Sequence, residues 1–457
     1  MVMPKAKTKY VCSDCGEAYG SWSGKCATCG AWNTIQQVLD VRGSTKGQQA
    51  VHSGSVLKAT TINEQTAVSH SDRIPVGVAD VDKVLGGGLV HGSVTLLAGQ
   101  PGIGKSTLLL QLAYAIAQTS SLLYVSGEES AEQVAMRGKR ISSAIDKNVV
   151  IATSNSANDI ATTIVSGEYN VVIVDSVQTL ATDEITGVPG SVSQVTNSAQ
   201  LITLAAKQSN TAVILVGHVT KEGSIAGPKV LEHLVDVVLQ LEGDRYAGFR
   251  VLRGIKNRFG STNEAVILEM SDKGLHVVTN PSAALLSERQ ISDGSIVLAT
   301  LEGTRPILVE VQALVNTTSY GYPKRAASGF DLNRLNLLVA MLERRTKLKL
   351  SDKDIYINIV GGIKITENAA DLAICMAIAS AAKGMQLSTD AVVFGEVGLS
   401  GEVRHVPWLE KRIQEAQKMG FTSVIGPRLQ KSQTNSGLQY KEAKNIKTIL
   451  NDTLMKG

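Results

Sequence analysis

Between Ile74 and about residue 270, apolar runs of strand length alternate with helix-like stretches. SVTLLAG (93–99), SLLYVSG (121–127), VVIVDS (171–176) and AVILVGH (212–218) are near-continuous apolar segments, and STLLLQLAYAIAQ (106–118) reads as a helix. Unbroken Val/Ile/Leu runs separated by helices predict strands buried on both faces, hence a parallel sheet of βαβ units. After about residue 270 the pattern changes. SIVLATLEG (295–303), RPILVEVQALV (305–315), DIYINIVGG (354–362) and AVVFGEVGL (391–399) read as strands. LNRLNLLVAMLERR (332–345), ENAADLAICMAIASAAKG (367–384) and LEKRIQEAQKMG (409–420) read as helices. This second block is a mixed α+β domain. No short-period repeat is present.

Ahead of Ile74, residues 35–72 scatter Gly, Ser, Thr and Gln among weak apolar positions and read as a linker. Residues 1–34 hold four of the five cysteines. The expected organisation is therefore a cysteine module (1–34), a linker (35–72), an α/β domain (73–272) and an α+β domain (285–457).

The 457 residues suit several domains, and 43% apolar composition supplies sizeable cores. The net charge of +4 is too small for the whole molecule to act as a polycation, so any nucleic-acid surface is a local patch. Aromatics are only 4%, which limits base-stacking platforms to a few positions. No stretch reaches the ~18 apolar residues of a membrane span, and the basic N-terminus lacks a signal-peptide core. The expected compartment is the cytoplasm.

In a reducing compartment a cysteine cluster points to metal. Cys12-x-x-Cys15 and Cys26-x-x-Cys29 are separated by ten residues, and a glycine follows each pair. Two thiolates from each tight turn supply four sulfurs in the tetrahedron that zinc favours. A redox dithiol pair or an iron–sulfur site is the alternative. Cys375 lies in an apolar helical stretch and reads as a core residue.

GQPGIGKS (99–106) fits G-x-x-x-x-G-K-[ST] between a strand and a helix. Gly99, Gly102 and Gly104 let the backbone wrap phosphate, and the loop amides and helix N-terminus supply donors. The expected nucleotide-binding residues are Gly99, Gln100, Pro101, Gly102, Ile103, Gly104, Lys105, Ser106 and Thr107. Lys105 would reach the β- and γ-phosphates, and Ser106 would bind Mg²⁺. Asp175 ends an apolar strand, where a carboxylate holds Mg²⁺ through water or caps a helix. Glu128 and Glu129 follow the next strand, and either is placed to polarise an attacking water. His218 ends AVILVGH, as a γ-phosphate sensor or a satisfied strand-end histidine.

With KNRFG (256–260) added to the CxxC pairs, GQPGIGKS and VVIVDS, the chain resembles the RadA/Sms family of bacterial DNA repair proteins, RecA-superfamily ATPases. The resemblance covers essentially the whole chain. It implies a RecA-like core, Glu128 rather than Glu129 as the catalytic glutamate, and His218 at the γ-phosphate sensor position. Lys256 and Arg258 match the Lys-x-Arg pair that DnaB-type ring helicases insert into a neighbour's nucleotide site; a basic turn on a solvated face is the alternative. The superfamily's DNA-binding loops fall on 181–197 and 219–230, with Lys221 and Lys229 as candidate phosphate contacts.

The C-terminal block resembles the proteolytic domain of Lon, through GGIKITENAADLAI (361–374) and GEVGLSGEVRHVPWLEKRIQEAQKMG (395–420). The Ser–Lys pair of Lon falls on Ala369 and Glu410, so no peptidase activity is expected. Lys324, Arg325, Arg344, Arg345 and Lys347 are candidate DNA contacts on this domain, against a default of solvated surface.

The resemblance implies a DNA-stimulated ATPase that branch migrates recombination intermediates as a ring, expected to be a hexamer, with ATP, Mg²⁺ and Zn²⁺. The implied partners are single-stranded and branched DNA and recombinase or replication proteins, with no membrane. The competing readings are a nucleotide-switched assembly of circadian-clock type that does not move DNA, and an ATP-dependent protease.

Overall fold

The computed structural model describes residues 8–12, 17–32, 34–39, 73–141, 149–218, 230–243, 248–319, 321–429 and 437–454. Two compact units divide the chain, 1–67 and 68–457.

The first unit is an antiparallel ribbon of β1 (Thr8–Cys12), β2 (Ala18–Tyr19) and β3 (Ile35–Leu39), in the order β2-β1-β3. Cys12, Cys26 and Ile35 are its buried core, with Tyr10 and Tyr19 packed against them. Among the described residues this core is small, and a metal held by its cysteines would add to its stability. Residues 35–39, expected in the linker, pair with β1 along its whole length.

The second unit opens with β4 (Arg73–Ile74) and β5 (Leu89–Val90), which pair across α1 (Ala79–Leu85). Then follow β6 (Val94–Gly99), α2 (Lys105–Ile116), β7 (Leu122–Ser126), α3 (Ala131–Ile141), β8 (Val149–Thr153) and α4 (Ala157–Val165). Next come β9 (Val171–Asp175), α5 (Val192–Ser209), β10 (Ala212–His218), α6 (Val230–Leu234) and β11 (Val237–Glu242). β12 (Phe249–Asn257), β13 (Ala265–Ser271) and β14 (Gly274–Val277) complete a nine-stranded sheet, ordered β14-β13-β12-β11-β6-β10-β9-β7-β8. The six strands from β11 to β8 are mutually parallel, as the unbroken apolar runs require. Successive residues feed opposite cores. Leu97, Ile173 and Ile214 face α1 and α2, whereas Leu96, Val172 and Leu215 face α4 and α5.

β12 to β14 form an antiparallel extension that carries the sheet past the expected limit at residue 272. Another difference concerns 181–197, expected as a loop. Its second half is the start of α5, because Val195, Ala199 and Ile202 recur at helical spacing and bury against the sheet. The Ser, Thr and Asn between them hide that stripe in the sequence.

The C-terminal part begins with α7 (Pro281–Leu286), β15 (Ser295–Glu302), β16 (Arg305–Thr317), β17 (Arg325–Ser328), α8 (Leu332–Thr346), β18 (Lys353–Ile359) and α9 (Asp371–Lys383). It ends with β19 (Ala391–Val393), β20 (Glu396–Val397), β21 (Val403–Arg404), α10 (Leu409–Lys418), β22 (Ser423–Gly426), β23 (Gln439–Glu442) and α11 (Ile446–Leu454). Seven strands form a mixed sheet, β17-β18-β16-β15-β19-β22-β23, around an almost wholly buried α9. AVVFGEVGL splits into β19 and β20, which belong to different sheets, and Gly395 between them packs close to Val403, whose Cγ1 would stand 2.9 Å from a Cβ there. The chain bends there, and no larger residue fits. Val251 and Ile267 of the first sheet join this second core.

Candidate functional site: a P-loop at the head of a parallel sheet

β6 ends at Gly99 and α2 starts at Lys105, so the loop between them lies at the carboxyl edge of the sheet, where α/β proteins bind ligands. Gly104 has φ 114°, and Met270 and Leu275 lie where its Cβ would be; only glycine serves. Sheet register sets the surroundings. His218 pairs with Gly99 on one side of β6, and Leu241 pairs with it on the other. One strand further out, Asp175 pairs with Ser126, which brings Glu128 to the same edge.

Lys105 is only 4% exposed. Its Nζ donates to Gly99 O (2.9 Å) and Gln100 O (3.0 Å) and sits 3.1 Å from His218 Nδ1. Burial pulls its ammonium down to about 8, against the carboxylates of Asp175 and Glu128, which favour the charged form. His218 is held below its usual value by burial and then by the Lys105 charge, so it is neutral at pH 7. Its Nε2 lies 3.7 Å from Glu128 Oε1. The Asp175–Ser176 peptide bond is cis, and Ser176 Oγ donates to Glu128 Oε1 at 2.6 Å. Tyr124 OH donates to Asp175 Oδ2 at 2.7 Å. Lys105, Asp175, Glu128 and His218 therefore form one cluster. Glu129 turns away and pairs with Arg137.

Several contributors escaped the sequence reading. Tyr124 and Ser176 orient the two carboxylates. Arg250, buried, donates from Nε to Ile103 O at 3.3 Å and braces the loop. Gln111 of α2 clamps the β13–β14 hairpin through both backbone groups of Leu275, at 3.0 and 2.9 Å. That clamp closes a cleft of about 270 Å³ beside Thr107, lined by Arg140, Ile141, Met270, Ser271 and Asp272. A tyrosine in the otherwise aliphatic LLYVS and a serine directly after Asp175 were the available signals. Arg250 and Gln111 give none.

The KNRFG residues sit elsewhere. Asn257 pairs with Val237 and Lys256 with Val238, at the amino end of β11. Lys256 Nζ donates to Glu232 O (2.6 Å) and Val235 O (2.8 Å). Arg258 Nη1 reaches Asp236 Oδ1 at 3.2 Å, and Asp236 also accepts from Val94 N–H, at 3.1 Å. Val94 starts the strand that Gly99 ends, so the motif lies roughly 16 Å along the sheet from its own P-loop. The Arg258 side chain is 54% exposed there.

In the ribbon, the sulfurs of Cys12, Cys26 and Cys29 lie within 4.8 Å of one another, and Cys12 and Cys29 are 3.7 Å apart. A zinc tetrahedron with 2.3 Å bonds has sulfur–sulfur edges of about 3.8 Å. Cys15 lies outside the described residues. The Tyr19 hydroxyl and the Cys29 amide pull the Cys26 thiol down to about 5, toward the thiolate that metals bind.

Lys221 and Lys229 also lie outside the described residues, with most of the 219–230 segment. Residues 186–190 of the other expected DNA loop are exposed. Lys324, Arg344, Arg345 and Lys347 are exposed, and Arg345 Nε donates to Leu399 O. Arg325 is committed inward, to the carbonyls of Leu350 and Lys353. Ala369 is buried in a turn before α9, and Glu410 is exposed in the first turn of α10. Lys411 donates to Thr304 O at 3.2 Å.

The fold and this site define a P-loop ATPase that carries an N-terminal zinc ribbon. The comparisons with known proteins agree. Residues 61–224 match the model of an AAA domain, 10–37 that of a rubredoxin metal binding domain, and 334–430 that of subunit ChlI of Mg-chelatase. The chain is 47% identical over 433 residues to the DNA repair protein RadA of Pseudomonas aeruginosa, covering 93% of this chain and 94% of that one. It is 44% identical to the Bacillus subtilis protein of the same name over 429 residues, 93% of each. With the Listeria monocytogenes protein the identity is 42% over 457 residues, 99% of this chain and 98% of the other. The chain belongs to the DNA repair protein RadA family.

Proposed function

We propose that the protein is a DNA-stimulated ATP-driven motor that assembles as a ring, with a hexamer as the expected size, and branch migrates recombination intermediates during repair. The observation that carries this reading is the position of Arg258, which is half-exposed at the opposite end of the sheet from its own P-loop. A guanidinium so placed is out of reach of its own nucleotide, and it would complete a neighbour's by extending from its pairing with Asp236.

Each residue then has a role. The loop 99–107 cradles the phosphates, and the cleft beside Thr107 takes the base. Lys105 offsets charge on the β- and γ-phosphates. Ser106 and Asp175 would hold Mg²⁺, which would supply positive charge to offset that of the phosphates. Glu128, aimed by Ser176, orients the attacking water. His218, between Lys105 and Glu128, senses the γ-phosphate. Lys256 and Arg258 stabilise transition-state charge across the subunit boundary. Lys256 would have to leave its present carbonyl partners to do so.

The proposed organisation joins this motor to the zinc ribbon through a linker, and to a Lon-like platform without peptidase activity. Ala369 offers no nucleophile and Glu410 no amine. Lys221, Lys229, Lys324, Arg344 and Arg345 are proposed phosphate contacts, with single-stranded and branched DNA as ligands and other repair or replication proteins as partners. Arg325 is the weakest of that set, because its donors are already spent on carbonyls. Among the described residues no helix is long and apolar enough to cross a membrane, and the proposed compartment is the cytoplasm.

Steady-state ATP turnover with and without single-stranded DNA, over a salt series, tests the reading. Stimulation that fades as salt rises is expected, because phosphate contacts release counterions. Turnover indifferent to DNA at every salt concentration would instead favour a switch ATPase.

A further inference from the structure

The chain has three tryptophans, and all of them are exposed: Trp22 by 61%, Trp32 by 68% and Trp408 by 52%. Two lie on the zinc ribbon. Among the described residues, that module's buried apolar side chains are Cys12, Cys26 and Ile35. An indole brings more apolar area to a core than any other side chain, yet both face outward.

The local backbone fixes them around one turn. Ser23 Oγ accepts from Lys25 N–H (3.4 Å) and donates to Lys25 O (3.0 Å). The Trp22 ring folds back over Gly24, with Cη2 3.9 Å from where a Cβ would stand. Lys25 forms an antiparallel bridge with Trp32, and its ammonium lies 5.4 Å from the Trp32 ring centroid. Cys26 follows Lys25 directly, and its N–H donates to Ala31 O at 2.8 Å, which ties the start of the metal knuckle to the residue before Trp32. One exposed indole thus carries a lysine over its ring, and a second stands three residues before that lysine.

This chemistry selects the occupant. Among the described residues of the ribbon, the exposed large apolar side chains are these two indoles, with no aliphatic beside them. Residues 1–39 carry Lys5, Lys7, Lys9 and Lys25 against Asp14 and Glu17; a zinc held by four thiolates would add two negative charges, so the module as a whole is near neutral and Lys25 is the cation local to the indoles. Exposed aromatic faces with a cation beside one of them fit unpaired bases and their phosphates, because every base offers a π-face and each linkage an anion.

We propose that the Trp22–Lys25–Trp32 face of the ribbon is a stacking platform for single-stranded DNA. This goes beyond the motor reading but rests on its DNA-binding part. The full-length zinc-loaded protein with Trp408→Phe leaves only the ribbon indoles to report. Titration with an oligothymidylate should quench their emission saturably, and less so at high salt. Trp22→Ala and Trp32→Ala should each weaken oligonucleotide binding by about tenfold, Trp→Phe should recover most of it, and zinc content should stay unchanged. Anisotropy of a labelled oligonucleotide separates the failures. Binding with unchanged emission, or a double alanine variant that binds as tightly as its parent, would overturn this proposal and assign the face to a protein partner. No binding of DNA at all would overturn the motor reading as well.

Discussion

Lys105 sets burial against charge. Burial outweighs the nearby carboxylates and pulls its ammonium down to about 8. A bound triphosphate favours the charged form, so nucleotide binding takes up a proton wherever the free lysine is neutral. ATP affinity should therefore hold steady below pH 8 and fall above it, by up to about tenfold per pH unit. Calorimetric titrations at pH 7 and 9 check this, and equal affinities would contradict it. His218, already neutral at pH 7, adds no opposing change in that range. The two adjacent glutamates make a second comparison. Glu128→Gln should keep ATP binding and lower kcat by about 10²–10⁴-fold. Glu129→Gln should stay within a few-fold of the parent, because that side chain is occupied by Arg137. Single-turnover hydrolysis separates binding from chemistry in both variants.

At the scale of elements, the β13–β14 hairpin is tied to the P-loop helix by Gln111. Its amide satisfies both the N–H and the C=O of Leu275. Gln111→Ala should cost about 2 kcal/mol, roughly 1 kcal/mol per lost hydrogen bond. It should also raise KM for ATP, because Met270 and Ser271 wall the adjoining cleft. Urea denaturation and steady-state kinetics read the two effects, and an unchanged KM would detach the hairpin from the nucleotide. This hairpin also marks where sequence legibility ends. β6, β7, β9 and β10 could be read directly, because a strand covered on both faces must be apolar at every position. The P-loop was legible because phosphate binding constrains residue type at fixed spacing. β12 to β14 were not. Arg250, Arg253, Lys256 and Glu269 interrupt their apolar runs, and their pairing is antiparallel to the rest of the sheet. The start of α5 was missed because polar residues, Gln194 and Ser198, are buried there while Val192 is exposed, which blurs the apolar stripe. The orienting roles of Ser176, Arg250 and Asp236 come from register between strands, which a linear pattern does not carry.

At the scale of the whole molecule, the sheet separates the two groups of residues that the proposed mechanism joins across a subunit boundary. Lys105, Asp175 and Glu128 gather at the carboxyl edge, while Lys256 and Arg258 stand at the amino end, about 16 Å away. A lone chain cannot bring them together, so activity should rise with assembly. Mixing two inactive variants tests this most directly. Lys105→Ala lacks its own phosphate cradle but keeps Arg258, and Arg258→Ala has the reverse defect. In a ring assembled from equal amounts of both, about a quarter of the interfaces pair an intact loop with an intact arginine. With single-stranded DNA present, each variant alone should be inactive, and the mixture should recover up to about a quarter of parental turnover. A mixture as inactive as its components, after exchange of subunits has been shown, would contradict a site completed between neighbours.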